Sequence, residues 1–587
     1  MITINVEPST RLSSLKDLYI SYRVGAGSDV TVQFASGVYP VTNSLPIPTA
    51  FASLTLQGPS DNSAKLIGTT VIDSSCFTTV GHSDPNFQLL RNPASVAVCK
   101  LETQWPEWKQ GYVDSCARGN CAKDVAGCWE TQLFNGGAKL RPARFPNSGD
   151  TKYKISSMGA GYLSTKRGSS STQFGAAKGV TNAQWASWNR EPRLYVAGSL
   201  TSATWQWEKL GVSANAKAQR FSIQNPLCGS ISANNGFYVT NALSELDKPD
   251  EYYIDPSQGM LYMLKSAINA GSTIELSSMT SSFISTVLNE SLIISNLSFM
   301  KSNAQYMFSI NGSGRITVKN SEFSQSPGGA FSITSPSSIV NNRFDRLGAT
   351  VIYLGVSTAN ILIQGNQFTN FGWYNWVYQP AVAAHGTGHT VSHNTFSQSP
   401  HIAITLGGTQ HNISNNEFTS LVQNVNDAGA IYAFDASLEQ VFSGHVIEDN
   451  YFHDFGGSSK YAIYADDLMS GWNVQKNLFA RLGGPAVFFH GSVSGHVSVN
   501  WFYHVPVGFV WSPSYKGGVS QAAQCTGQVK FSGNVEVRGP GENAMVGVKT
   551  KGCNIDGSLN TLTSSMDSQS SNTDADFFNN LGFAIYI

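Results

Sequence analysis

Two short stretches of this chain gather carboxylates. "NDAGAIYAFD" (426–435) carries Asp427 and Asp435 around an apolar run, and "YAIYADDLMSGW" (461–472) carries the adjacent Asp466 and Asp467. Two carboxylates facing one cleft can break a glycosidic bond. One gives a proton to the leaving oxygen, while the other attacks the anomeric carbon or activates water. Asp427, Asp466 and Asp467 are therefore the candidate catalytic acids. Histidine is concentrated in the same region, with ten of the eleven lying between His385 and His504. Imidazoles beside paired acids point to a polar site. Turn aspartates are also a common structural feature, so the elements that carry these residues must decide.

Helical periodicity is poor, and short β-branched and aromatic runs bounded by Gly, Asn and Ser recur along the chain. From about residue 290 they form a repeat punctuated by Phe299, Phe323, Phe344, Phe368, Phe396, Phe418, Phe452, Phe479 and Phe502. In seven of these nine cases an Asn stands two residues earlier, as in "NNRF" and "DNYF". Strands repeating every 20 to 30 residues or so without helices are the signature of a β-solenoid. We expect the Asn to take the left-handed backbone conformation of a tight corner and to hydrogen-bond from coil to coil. The Phe should stack inside.

The strand after each corner gives a second register. Ile352, Val382, Ile404, Ile431, Ile463 and Val487 should point inward, and alternation then sends Tyr353, Ala383, Thr405, Tyr432, Tyr464 and Phe488 outward. Two positions further on, the outward column holds His385, Asp466 and His490, which favours Asp466 over Asp467. Adjacent coils lie about 4.8 Å apart, so Asp466 falls within reach of the acids one coil earlier. The expected substrate-binding residues are His385, His401, Tyr432, Asp435, Tyr464 and His490. Trp373 and Trp376, in the run "FGWYNWVY" (371–378), could wall the site and stack on a sugar ring.

A net charge of −1, with 13% charged residues, gives no electrostatic case for nucleic acid or an anionic membrane as partner. No run of eighteen apolar residues provides a membrane span, and "MITINVEPSTRLSS" lacks the features of a signal peptide. The eight cysteines are Cys76, Cys99, Cys116, Cys121, Cys128, Cys228, Cys525 and Cys553. The 116–128 cluster lacks the C-x₂-C pairs of common zinc folds, so disulfides are the better reading, with Cys525 and Cys553 a plausible pair. Sequons at Asn289, Asn296, Asn311 and Asn412 fit the same secreted, extracellular setting. No cofactor or metal is expected, and self-assembly is left open. We expect an N-terminal cap and first coils over 1–79 and an inserted, disulfide-containing β-rich domain over 80–285. The main solenoid with its groove should occupy 286–560, and a C-terminal segment 561–587.

Several motifs resemble one family. "LFNGGAKLRPARFPN" (133–147), "ALSELDKPDEYYIDPSQGMLYML" (242–264), "SHNTFSQSPHIAITLGGTQHNISNNEF" (392–418), "NDAGAIYAFD", "YAIYADDLMSGW" and "AVFFHG" (486–491) occur in an order similar to that of glycoside hydrolase family 141 and its unassigned relatives. The resemblance implies an all-β right-handed parallel β-helix of the pectin-lyase-like type with an inserted β domain. It also implies a groove acting on a polysaccharide or other glycan, with Asp427 and one aspartate of "ADD" as the catalytic pair. Family activities include α-L-fucosidase and xylanase. The chain departs from the family pattern after "DAGAIY", where "AFDASLEQ" stands, so substrate specificity does not transfer. A polysaccharide lyase would need cations to neutralise a uronate, and between 380 and 505 only Lys460, Lys476 and Arg481 are basic apart from histidine. A non-catalytic structural or glycan-binding solenoid is the other alternative.

Overall fold

The computed structural model describes residues 1–512 apart from 11, 13–14, 25–26, 48–50, 113–129, 156–157, 167–169, 203–205, 225–226, 228–229, 270, 272, 374–375, 435–440 and 458. It also describes 528–537, 546–548 and 561–563. Three parallel sheets wrap one long core. Two have thirteen strands, running from Ile2–Val6 to Gln528–Ser532 and from Gly37–Pro40 to Thr561–Thr563. The third has eleven, from Ile284–Leu288 to Val546–Val548. Most strands beyond residue 350 are only three residues long, and many alternate in burial, buried at both ends in Ile352–Leu354 and at the centre in Leu362–Gln364. Such short strands are stable because each pairs with a coil on either side and closes on the same interior.

The inward column is continuous. Ile352, Val382, Ile404, Ile431, Ile463 and Val487 pair in register from coil to coil and are fully buried. The nine phenylalanines form a parallel stack beside it, with neighbouring rings 4.5–5.5 Å apart and within 16° of parallel. Burying each ring contributes about 2 kcal/mol, so the stack is a major part of the core.

The asparagine ladder differs from expectation in one respect. The left-handed residue of each corner is the one before the ladder Asn: Asn341, His393, Asn415, Asp449, Lys476 and Val499 have φ of 55–58°. The ladder asparagines follow it and point inward, buried. The Oδ1 of Asn366 accepts from both the backbone and side-chain N–H of Asn342, while its Nδ2 donates to Ile339 O and Asn394 Oδ1. The pattern repeats through Asn394, Asn416, Asn450, Asn477, Asn500 and Asn534. The amide's four hydrogen-bonding positions are what the corner uses, not its tolerance of positive φ. Asn416→Ala strips an acceptor from Asn394 and donors from Val391 O, Ser414 O and Asn450 Oδ1. We expect it to lower unfolding free energy by about 2–4 kcal/mol, measured by urea denaturation.

Between Ile67 and Ile284 the chain leaves the three parallel sheets. Its strands there, from Thr69–Ile72 to Ile274–Ser277, form largely antiparallel sheets with separate buried clusters. The solenoid is continuous across this excursion, because Ser291–Ser295 pairs directly with Phe51–Gln57 and Ser298–Met300 with Ala64–Ile67. Trp105, Trp108, Trp185, Trp188 and Trp207 are all core residues of this part. A disulfide joins Cys76 to Cys99. Cys116, Cys121, Cys128, Cys228, Cys525 and Cys553 lie outside the described residues. Of the sequons, Asn289 and Asn311 are exposed, while Asn296 and Asn412 are half-buried.

Candidate active site

Strands Ala428–Ala433 and Lys460–Ala465 pair in register, so Tyr432 stands beside Tyr464 on the outward face. Alternation then presents Asp466 at the end of the second strand. Asp427 precedes the first strand in a left-handed turn (φ 58°), a conformation that Asp adopts more readily than most residues. A linear strand would hold Asp427 far from Asp466, but both strands are bent near their starts. The N–H groups of Ala462 and Ile463 both donate to Ala486 O, at 3.0 and 2.9 Å, as in a bulge. A Cβ on Gly429 would lie 2.9 Å from Tyr464 Cβ and 2.7 Å from Ile431 O, so the bend accepts only glycine there.

The bend brings Asp427 Oδ1 to 3.3 Å from the Tyr464 hydroxyl, which donates to it. Tyr432, whose ring lies 5.3 Å from that of Tyr464, donates to Asp466, so neighbouring tyrosines hold the two acids. Asp466, 9% exposed, accepts from Tyr432 Oη (2.9 Å) and the Asp467 N–H (2.9 Å), and pairs with His490 Nδ1 (2.7 Å). Burial, then the charge of Asp466, pushes the hydroxyls of Tyr432, Tyr464 and Tyr378 well above the usual phenol range, with Asp427 adding to it for the last two. Burial, then Asp427 and Asp466, pushes Tyr461 up to about 12. These tyrosines therefore stay protonated and act as donors. The hydrogen bond to Asp466 raises the His490 pKa against the effect of burial.

Asp467 takes a left-handed turn (φ 45°) and is half-buried. Its carboxylate, an Asp466 oxygen and a His490 nitrogen lie within 4.8 Å of one another, a donor set able to hold a divalent cation. Asp435 falls outside the described residues.

The histidines nearest the site differ in role. His389, His411 and His445 are a buried corner ladder, stacked 4.8 and 4.9 Å apart, whose Nδ1 atoms accept backbone N–H groups from the preceding coil. That fixes the Nε2–H tautomer, which His389 and His411 donate to carbonyl oxygens of His385 and Gly407. His401 is a correction. It is only 2% exposed, because its Nδ1 accepts the Tyr378 N–H and its ring packs 5.1 Å from that of Tyr378. It supports the wall of the site from behind and presents nothing to a substrate. His385 and His490 remain partly exposed.

Trp376 has one face occupied by Trp207 of the excursion (3.7 Å, 16°), and the Trp373 Nε1–H is bonded to Gln398 O. The residues of this loop that reach the acids' surroundings are instead led by Tyr378, which packs 6.4 Å from Tyr432 and 6.1 Å from Phe434. Tyr461 packs edge-on 4.9 Å from Tyr464 and tilted 4.8 Å from Phe488, completing the aromatic bed beside the acids. Sequence reasoning missed Tyr378 and Tyr461, although Tyr378 closes the aromatic run and Tyr461 opens the "YAIYADD" motif. On the other side of Tyr378, Tyr432 and Phe434 runs a groove of about 1310 Å³.

Residues 380–563 match the family model of the right-handed β-helix region, and the fold is an all-β right-handed parallel β-helix. No curated protein sequence matches this chain. Among solved structures, a glycoside hydrolase superposes with a TM-score of 0.53 at 11% identity, over 90% of this chain and 99% of that one. The complex of XylC with xylose gives 0.50 at 10% identity, over 97% and 87%. At such identities the likeness is one of fold. No helix among the described residues is long and apolar enough to cross a membrane.

Proposed function

We propose that this protein is a secreted glycoside hydrolase that cleaves a glycan with Asp427 and Asp466. The observation that carries the reading is the pair of carboxylates on adjacent coils, each accepting from a tyrosine hydroxyl, beside a large groove that Tyr432 also lines. Asp466 is the acceptor for Tyr432 and the Asp467 amide, so its oxygens are oriented as nucleophile or base. Asp427 is the more open of the two and fits the proton donor. Tyr464 holds Asp427 and Tyr432 holds Asp466. The structural neighbours, a glycoside hydrolase and XylC with bound xylose, agree with this class.

The finer assignment, kinship to family 141 with fucosidase- or xylanase-like specificity, rests on the motif resemblance. A lyase is disfavoured because the nearby cation Lys460 is turned to the carbonyl of Gln423, at 2.6 Å. The test is to incubate the protein with xylan and with fucosylated glycans. New reducing ends without ultraviolet-absorbing unsaturated products are expected. Unsaturated products would replace hydrolase by lyase, and no cleavage of any member would reject the family-141 assignment.

A further inference from the structure

The groove beside the aromatic wall has a floor built from one register column. Ser285, Ser309, Ser332, Tyr353, Ala383, Thr405 and Tyr432 pair one to the next on seven successive coils. All seven line the groove. Six steps of about 4.8 Å make this floor roughly 29 Å long, parallel to the solenoid axis. Its far end is Tyr432, whose hydroxyl donates to Asp466. The groove thus runs from the aromatic wall beside the acids toward the N-terminal coils and is long enough for several sugar rings.

Its chemistry is uniform. Among the described residues lining it, none is Asp, Glu, Lys or Arg; the polar groups are hydroxyls, the amides of Gln305 and Gln379, and the imidazole of His385. Such a surface can hydrogen-bond to sugar hydroxyls, and Tyr306, Tyr353 and Tyr378 offer ring faces for stacking. It offers a polyuronate nothing in return for stripping water from a row of carboxylates, which is costly without cationic partners. Small side chains on the first three coils leave the width, and the hydroxyls supply the polarity.

From this geometry we infer that the substrate is an uncharged, linear polysaccharide. Several of its sugar units lie along the 285–432 floor, on the N-terminal side of the acids. The inference rests on the hydrolase reading for its direction, yet binding can be measured apart from turnover. In an Asp466→Asn background, isothermal titration would compare xylo-, cello- and mannohexaose with hexagalacturonate and with the corresponding neutral disaccharides. At least one neutral hexasaccharide should bind, about tenfold more tightly than its disaccharide and than hexagalacturonate. Ser309→Trp and Ser332→Trp, each filling the floor from an outward position, should weaken that binding by about tenfold, with the thermal midpoint unchanged.

Hexagalacturonate binding as tightly as the neutral hexamers would overturn the proposal. So would failure of all neutral hexamers to bind, or indifference to both tryptophans. Binding that survives while wild-type protein cleaves nothing would reject the hydrolase reading and keep the groove. Cleavage that ignores Ser309→Trp and Ser332→Trp would do the reverse.

Discussion

Asp466→Asn is expected to lower kcat/KM for glycan cleavage by about a thousandfold or more, with the fold retained. The amide is nearly isosteric, but it cannot act as nucleophile or base. It would also turn an N–H₂ toward either Tyr432 Oη or His490 Nδ1, both of which now face a carboxylate oxygen. Asp427→Asn should cost a similar amount by removing the proton donor. Asp467→Asn is the informative control. Asp467 reaches Asp466 through its backbone N–H, which the substitution keeps, so activity should fall by less than about tenfold. Initial rates on the cleaved glycan, alongside far-ultraviolet circular dichroism, check all three. Full activity in Asp466→Asn would remove the catalytic role of this pair.

The buried histidines of the solenoid should begin to lower its stability at a pH well above the ordinary carboxylate range. Burial holds the imidazole of His389 at about 4 and those of His401 and His445 at about 3, and it lowers that of His411. In the unfolded chain each returns to about 6.5. Below that pH the unfolded state binds protons that the folded state refuses, so stability falls as pH falls. The loss continues until each folded value is reached. At about 1.4 kcal/mol per unit, the three valued histidines alone amount to on the order of 10 kcal/mol by about pH 3, comparable with the whole stability of many domains. His490 opposes this. Its folded pKa is raised, so its contribution is present below 6.5 and fades as pH rises through the folded value. Glu208, Glu245 and Glu251 oppose it too, because burial raises their folded values to about 7, 7 and 8, so the folded protein takes up protons over the same range. Comparison with His445→Asn isolates the histidine contribution: from about pH 7 to about pH 5 the change in unfolding free energy, from urea denaturation, should be about 2 kcal/mol more unfavourable in the wild-type protein than in the variant. An equal change in both would mean that His445 is protonated in the folded protein.

The same four histidines show where sequence reading stopped. Their concentration between 385 and 504 pointed to a polar site, and two of the region's histidines, His385 and His490, do face one. His389, His411 and His445 serve a corner instead, because a ring whose Nδ1 accepts a backbone N–H closes a tight turn as an asparagine does. Residue type is identical in both settings. What differs is the position within the coil, and that is set by contacts with the coils above and below.

The columns themselves were legible in the sequence. A solenoid stacks by translation, so one period, together with the two-residue alternation of a strand, assigns every repeated position to a face. The inward Ile and Val column, the Phe stack and the outward row from Tyr353 to Phe488 follow from those two periods alone, as does the preference for Asp466 over Asp467. Tertiary structure decided whatever translation does not relate. The bulge and Gly429 bend Asp427 back to Tyr464, because close packing admits no Cβ there. The 371–378 loop turns Trp376 onto Trp207, more than 160 residues earlier in the chain, and leaves Tyr378 beside the site. Those contacts join segments that share no period, so their pairing is fixed only when the excursion and the loop fold back onto the solenoid and bury their rings together.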